Sequence, residues 1–306
     1  MKLHRPESLL LRGLHLLVLC GFALAQPLYD ILGRTPEFFV ARGSTGWDVV
    51  VVGVALATLP AALLLAVEAL AGLVSHRLQS ALHLLFVGAL AALIALQALR
   101  RGGDLPGWPL VAAAAALGAL AAVAYSRLSP VRTGVTVLTP APLVFLSLFL
   151  LSSPIEELQL ANPLEDGSRP AVESRTPVTV IVFDELPTTS LLDADGRIDE
   201  GRFPSFASLA ADATWFPNAT TVHAYTGSAV PAILTGEDPD AGALPLVADH
   251  PRNLFTYLAE SHRMNVLEPV TQLCPASVCE RRRPPFAERM ESLASDLRIV
   301  YLHVTL

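Results

Sequence analysis

The side chains with the widest chemical reach fall mostly in the second half of the chain. Asp184 and Glu185 close the run V-T-V-I-V-F from Val178 to Phe183, and a second stretch, T-V-H-A-Y-T-G-S-A-V-P-A-I-L-T-G from Thr221 to Gly236, gathers His223, Tyr225, Thr226 and Ser228. A continuous β-branched, apolar run predicts a strand buried on both faces. Carboxylates at the carboxyl end of such a strand sit where open α/β sheets hold their ligands. The plain alternative for Asp-Glu at this place is a solvated turn. Cys274 and Cys279, spaced Cys-x4-Cys, predict a small structural disulfide; a zinc site would call for further Cys or His close by, and none follows. Arg281-Arg282-Arg283 would suit anionic head groups, or be a basic turn ahead of Pro284-Pro285.

The elements that would position these residues alternate. After the strand at 178–183, segments 203–211 and 253–261 have helical patterns, 264–267 is strand-like, 287–297 is helical and 298–304 reads as another buried strand. That order predicts an α/β layered domain with a largely parallel sheet, preceded by a polar Glu-, Pro- and Ser-containing connector over 154–176.

Residues 1–153 are of another kind. The 306-residue chain is 52% hydrophobic and only 16% charged, against about 25% charged in ordinary soluble domains, which excludes a disordered chain and a basic nucleic-acid binder and predicts a membrane protein. Net charge splits as +4 before Pro154 and −11 from it onward, giving −7. Five stretches approach the ~20 apolar residues a helix needs to cross the hydrocarbon core: about 9–27, 49–73, 78–99, 109–125 and 133–151. Pro140 and Pro142 predict a kink in the fifth.

An N-terminus in the cytoplasm places Lys2, Arg5, Arg12, Arg77, Arg127 and Arg132 inside, against Arg34, Arg42, Arg100 and Arg101 outside, and leaves the acidic half outside the cytoplasm. Ala23-Leu24-Ala25 also fits a signal-peptide cleavage site, which would leave four crossings and the same final orientation. Glu68 is ionisable within a membrane segment, a position that by default suggests function, although late placement in its helix lets it reach the head groups. His15 and His83 read as neutral packing residues, and Cys20 as apolar filling.

A strand ending in paired acids, followed some forty residues later by a residue ten before the Gly of Leu-Thr-Gly, resembles the sulfatase branch of the alkaline-phosphatase superfamily. In that pattern Thr226 takes the nucleophile's place. Sulfatases hold there a Cys or Ser, within Cys-x-Pro-Ser-Arg, that becomes formylglycine; here the residue is Thr and the Pro and Arg are absent, which disfavours sulfate-ester hydrolysis. Thr is similar to what the membrane-anchored lipoteichoic acid synthases and phosphoethanolamine transferases use, and these place five membrane helices ahead of an extracytoplasmic catalytic domain. The resemblance implies a divalent cation (Mn, Mg, Ca or Zn) held by Asp184, Glu185 and Thr226, which would activate a hydroxyl that is a poor nucleophile on its own.

The implied reaction is attack by Thr226 on a phosphate ester of a membrane lipid or envelope polymer, followed by resolution of a phospho-threonine by a hydroxyl or water. His223 would touch substrate, Ser228 is the fallback nucleophile, and local structure is the alternative for both. A helix starting at Thr226 would turn oriented N–H groups toward phosphate, but Pro231 argues for a later start. The resemblance covers 177–306, about the first half of such a domain. The pattern breaks off within a predicted strand at 298–306, so the expectation is an N-terminal portion of a membrane-bound phosphotransferase or hydrolase, without the family's later Asp-His ligands. The competing expectation is a membrane protein whose non-catalytic outer domain binds an envelope component. Neither residues nor resemblance specify an oligomeric state.

Overall fold

A computed structural model describes residues 8–102, 107–151, 155, 172–279 and 284–305, with side chains through residue 301. Most of the connector, Arg281-Arg282-Arg283, Lys2, Arg5 and Asp104 lie outside these residues. The chain forms two compact units, Met1–Asn162 with Arg282–Leu306, and Pro163–Arg281.

In the first unit α1 (Leu9–Cys20) runs through a π-helical turn (Gly21–Ala25) into α2 (Gln26–Arg34), followed by α3 (Glu37–Val40), α4 (Gly46–Val74), α5 (His76–Gly102), α6 (Trp108–Arg127), α7 (Ser129–Val137) and α8 (Ala141–Leu150). The second unit holds α9 (Pro204–Asp212), α10 (Thr226–Thr235) and α11 (Leu254–Leu258); α12 (Phe286–Thr305) returns to the first.

Local chemistry sets these boundaries. The Ser8 hydroxyl accepts the Leu11 N–H at 3.3 Å and starts α1. Thr45 and Asp48 form a reciprocal capping box at α4, and Pro in the first turn opens α6, α7 and α8, where a missing N–H costs nothing. Pro140 separates α7 from α8, so the predicted kink is a short break.

Five helical spans are long and apolar enough to cross a membrane: Leu9–Arg34, Gly46–Val74, His76–Gly102, Trp108–Arg127 and Ser129–Leu150. On those grounds this is a membrane protein. Large apolar side chains such as Leu59, Leu70, Leu85 and Leu120 face outward from the bundle, as lipid contact requires, while Leu16, Cys20, Ala23, Ala61 and Leu90 pack inside. Helices α5 and α6 approach most closely at Gly88 and Gly118. A Cβ on Gly118 would lie 2.6 Å from that of Ala92, so only glycine fits there.

Polar groups tie the two ends of this bundle. At one end, where α1, α5 and α7 begin and α4 and α6 finish, His83 Nδ1 meets Glu68 Oε1 at 2.9 Å and His83 Nε2 meets the Tyr125 hydroxyl at 3.0 Å. That hydroxyl lies 2.5 Å from His15 Nδ1, and His15 Nε2 lies 2.9 Å from Thr136 Oγ1. His15 and His83, read as packing residues, are buried but also hydrogen-bonded across helices, and Glu68, read as able to reach the head groups, is 0% exposed within the bundle. At the other end Arg289 forks onto Asp48, with Nε to Oδ2 at 2.9 Å and Nη2 to Oδ1 at 3.0 Å, and Arg42 donates to Asp296 from α12. Tyr301 on α12 donates to the Ala23 carbonyl at 3.3 Å.

The expected α/β domain is not what forms. Among the described residues there is no strand, only isolated bridges between Leu192 and Ile198 and between Leu246 and Gln272. Residues 178–183 take part in no ladder, and Val178 and Val180 to Phe183 are 47–69% exposed. Strand propensity is a preference for a pleated, packed surface, and without a partner it yields no ladder. The strand expected at 298–304 is instead the last part of α12, because Leu293, Leu297 and Tyr301 recur at i, i+4 and i+8 and so form one helical face. Segment 264–267 is irregular, with Leu267 fully open. The helices expected near 203–211 and 253–261 do form, as α9 and the shorter α11, whose N-cap Asn253 is buried and also bonds His250 and Leu273 carbonyls.

Candidate functional site

Thr226 is the first residue of α10, and its hydroxyl donates to Asp184 Oδ1 at 2.9 Å across 42 residues of sequence. The helix starts here despite Pro231, which corrects the expected later start. Pro231 lacks an N–H for the preceding turn but is buried, and its carbonyl accepts the Thr235 hydroxyl at 2.8 Å. Gly236 ends the helix at φ 73°, a left-handed conformation that a side chain would strain. Asp184 and Glu185 form a turn after the 178–183 segment, Glu185 at φ 54° being the one non-glycine with positive φ among the described residues.

His223 stands beside Thr226 but is engaged locally. Its Nδ1 accepts the Tyr225 N–H at 3.1 Å, and its carbonyl accepts the Thr221 hydroxyl at 3.0 Å. Ser228 lies in the first turn of α10, its N–H bonded to the Tyr225 carbonyl. Asp184 and Thr226 both line a cavity of about 370 Å³ walled by Val180, Val182, Leu254 and the 262–271 segment. Cys274 and Cys279 are joined by a disulfide, with Cα atoms 6.0 Å apart. Compared with models of protein families, with curated proteins and with solved structures, the chain matches none.

The metal implied for Asp184, Glu185 and Thr226 lacks a sufficient donor set here. A hard divalent cation takes about six oxygen ligands, and among the described residues no group of three His, Cys, Asp or Glu could hold a metal ion. What the geometry supports is a hydroxyl–carboxylate pair at a helix start, bordering a cavity.

Sequence reasoning missed Glu268. Its carboxylate accepts from the Thr271 hydroxyl at 2.8 Å and from the N–H groups of Leu273 and Cys274 at 2.7 and 3.0 Å, fixing the turn that carries the disulfide. A carboxylate three residues before a Thr is too common a pattern to reveal this. The hydrogen-bonded chain of Glu68, His83, Tyr125 and His15 was equally hidden, since its members are separated by up to 110 residues.

Proposed function

We propose that the second unit is the working domain of a membrane-bound phosphotransferase or hydrolase that acts on phosphate esters of membrane lipids or envelope polymers. The observation that carries this is the Thr226–Asp184 hydrogen bond at the cavity edge. In the first step Thr226 Oγ1 attacks phosphorus while Asp184 takes its proton, a general-base role worth about 10²–10⁴ in rate. Asp184 then returns the proton to the leaving oxygen, and an acceptor hydroxyl or water releases the phosphoryl group from Thr226. N–H groups of the first turn of α10 favour the phosphate charge. The Cys274–Cys279 disulfide and the Lys/Arg distribution of the membrane segments support a location for this unit outside the cytoplasm.

The test is turnover of head-group-labelled phospholipid by the full chain in vesicles. Thr226→Ala should abolish head-group release and the trapped phospho-threonine; Asp184→Asn should slow both at least about a hundredfold. Unchanged turnover in Thr226→Ala refutes the mechanism. The incomplete metal-donor set favours a second reading, a non-catalytic unit that binds an envelope component. Under it, labelled lipid is retained by wild type without turnover.

A further inference from the structure

The membrane unit contains a continuous hydrogen-bonded chain, Glu68–His83–Tyr125–His15–Thr136, contributed by α4, α5, α6, α1 and α7 in turn. Four members are buried, with Glu68 and His15 at 0% and His83 and Tyr125 at 3% exposure, whereas Thr136 is exposed. Ionisable groups at this depth are costly unless they pair or serve a function. One atom at the inner end, Glu68 Oε2, is buried with no hydrogen-bond partner.

Along this chain the donor and acceptor rules permit two hydrogen-bonding patterns that differ by one proton. In the first, Glu68 is ionised and accepts from His83 Nδ1–H; His83 Nε2 accepts from Tyr125, Tyr125 accepts from His15 Nδ1–H, and His15 Nε2 accepts from Thr136. In the second, His83 is an imidazolium that donates to both Glu68 and Tyr125. Tyr125 then donates to His15 Nδ1, and His15 Nε2–H donates to Thr136, whose own hydrogen turns to the Arg132 carbonyl 3.0 Å away. Every bond beyond His83 has reversed direction.

We propose that this chain is a proton-binding relay whose ligand is a single proton, taken up at Thr136 and stored on the His83–Glu68 pair. The transfer balances. A hydronium that reaches Thr136 protonates its Oγ1 and becomes water, while Thr136 releases its original hydrogen to His15 Nε2. The His15 Nδ1–H bond breaks as a new O–H forms on Tyr125, and the former Tyr125 hydrogen moves to His83 Nε2. No electron leaves or enters. Tyr125 is the link, since its hydroxyl lies within hydrogen-bond reach of both imidazoles.

Among the described residues, the other charged or titratable groups at this end are Arg12 on α1, His76 and Arg77 on α5, Arg127 on α6 and Arg132 on α7. Arg12 is buried and donates to Ser80 at 3.2 Å, which places a fixed positive charge one turn from His15.

The experiment is solid-state NMR of full-length protein labelled with ¹⁵N-histidine in lipid bilayers, the His15 and His83 signals being assigned by their loss in His15→Asn and His83→Asn. Between about pH 9 and about pH 4, His83 should pass from neutral Nδ1–H to imidazolium, and in the same step His15 should switch from the Nδ1–H to the Nε2–H tautomer. In Tyr125→Phe, His83 should still titrate while His15 no longer follows it. A wild-type His15 tautomer that stays fixed while His83 titrates overturns the relay, as does the absence of any change at His83 across that range. The wild-type measurement decides the matter even if Tyr125→Phe does not fold.

Discussion

Buried polar groups of the membrane unit are tied to one another across helices, whereas the polar groups around Thr226 face solvent and are tied mostly to their own neighbours. Glu68, His83, Tyr125 and His15 are each within hydrogen-bond reach of a residue on another helix. Asp184 is exposed, and His223 bonds only within 221–225. The difference follows from the two environments. In hydrocarbon an unpaired polar group has no water to turn to, so pairing governs stability; in an open turn water satisfies what the protein does not, and side chains are left available to a ligand.

Mutations should separate the two. The largest effect expected is from His83→Ala, which strands the Glu68 carboxylate in the bundle at a cost of about 3–5 kcal/mol, measured by denaturant titration in micelles. Replacing both residues with Leu should recover most of that loss, and a double variant as unstable as the single one would break the contrast. Second is the disulfide: Cys274→Ser with Cys279→Ser should cost the second unit about 2 kcal/mol through the freed short loop, read as a lowered unfolding midpoint that reductant reproduces in wild type. Third, Thr226→Ala should leave stability within about 0.5 kcal/mol of wild type while removing turnover, which would place Thr226 on the functional side of the comparison.

The smallest effect concerns Asp193. N–H groups of Arg197 and Asp195 hold its carboxyl below the ordinary value of 3.8, aided by the Arg197 guanidinium. Folding therefore favours the ionised form. Its contribution is present above pH 3.8 and disappears as pH falls through the lowered folded value. Hydrogen exchange over 193–199 should accelerate there in wild type and lose that pH dependence in Asp193→Asn.

Legibility in the sequence followed range. The five spans were visible because hydrocarbon crossing is a property of each segment alone, and their observed limits extend the expected ones by a few residues, to Arg34 for the first. Asp184 and Thr226 could be singled out from a short motif with fixed spacing, and they do meet. That no sheet forms was not legible: V-T-V-I-V-F carries the composition of a strand, but a ladder also needs a neighbour, and composition says nothing about that. Residues 298–304 had the same apolar content whether strand or helix, and only the continuation of the Leu293–Leu297 face decides for helix. The His15–Tyr125–His83 contacts depend on how helices pack, which no local pattern encodes.

The clamp of α12 onto the membrane bundle has a bearing on biosynthesis. Arg289 and Asp296 reach Asp48 and Arg42 across 241 and 254 residues of sequence. At a synthesis rate of roughly 5–20 residues per second, Asp48 waits tens of seconds after it is made for Arg289 to emerge. During that interval the start of α4 carries a carboxylate without its guanidinium. The bundle is thus completed last at the end where α4 starts, and a ribosome stalled before residue 286 would leave five inserted helices with the Asp48 carboxylate still without its guanidinium.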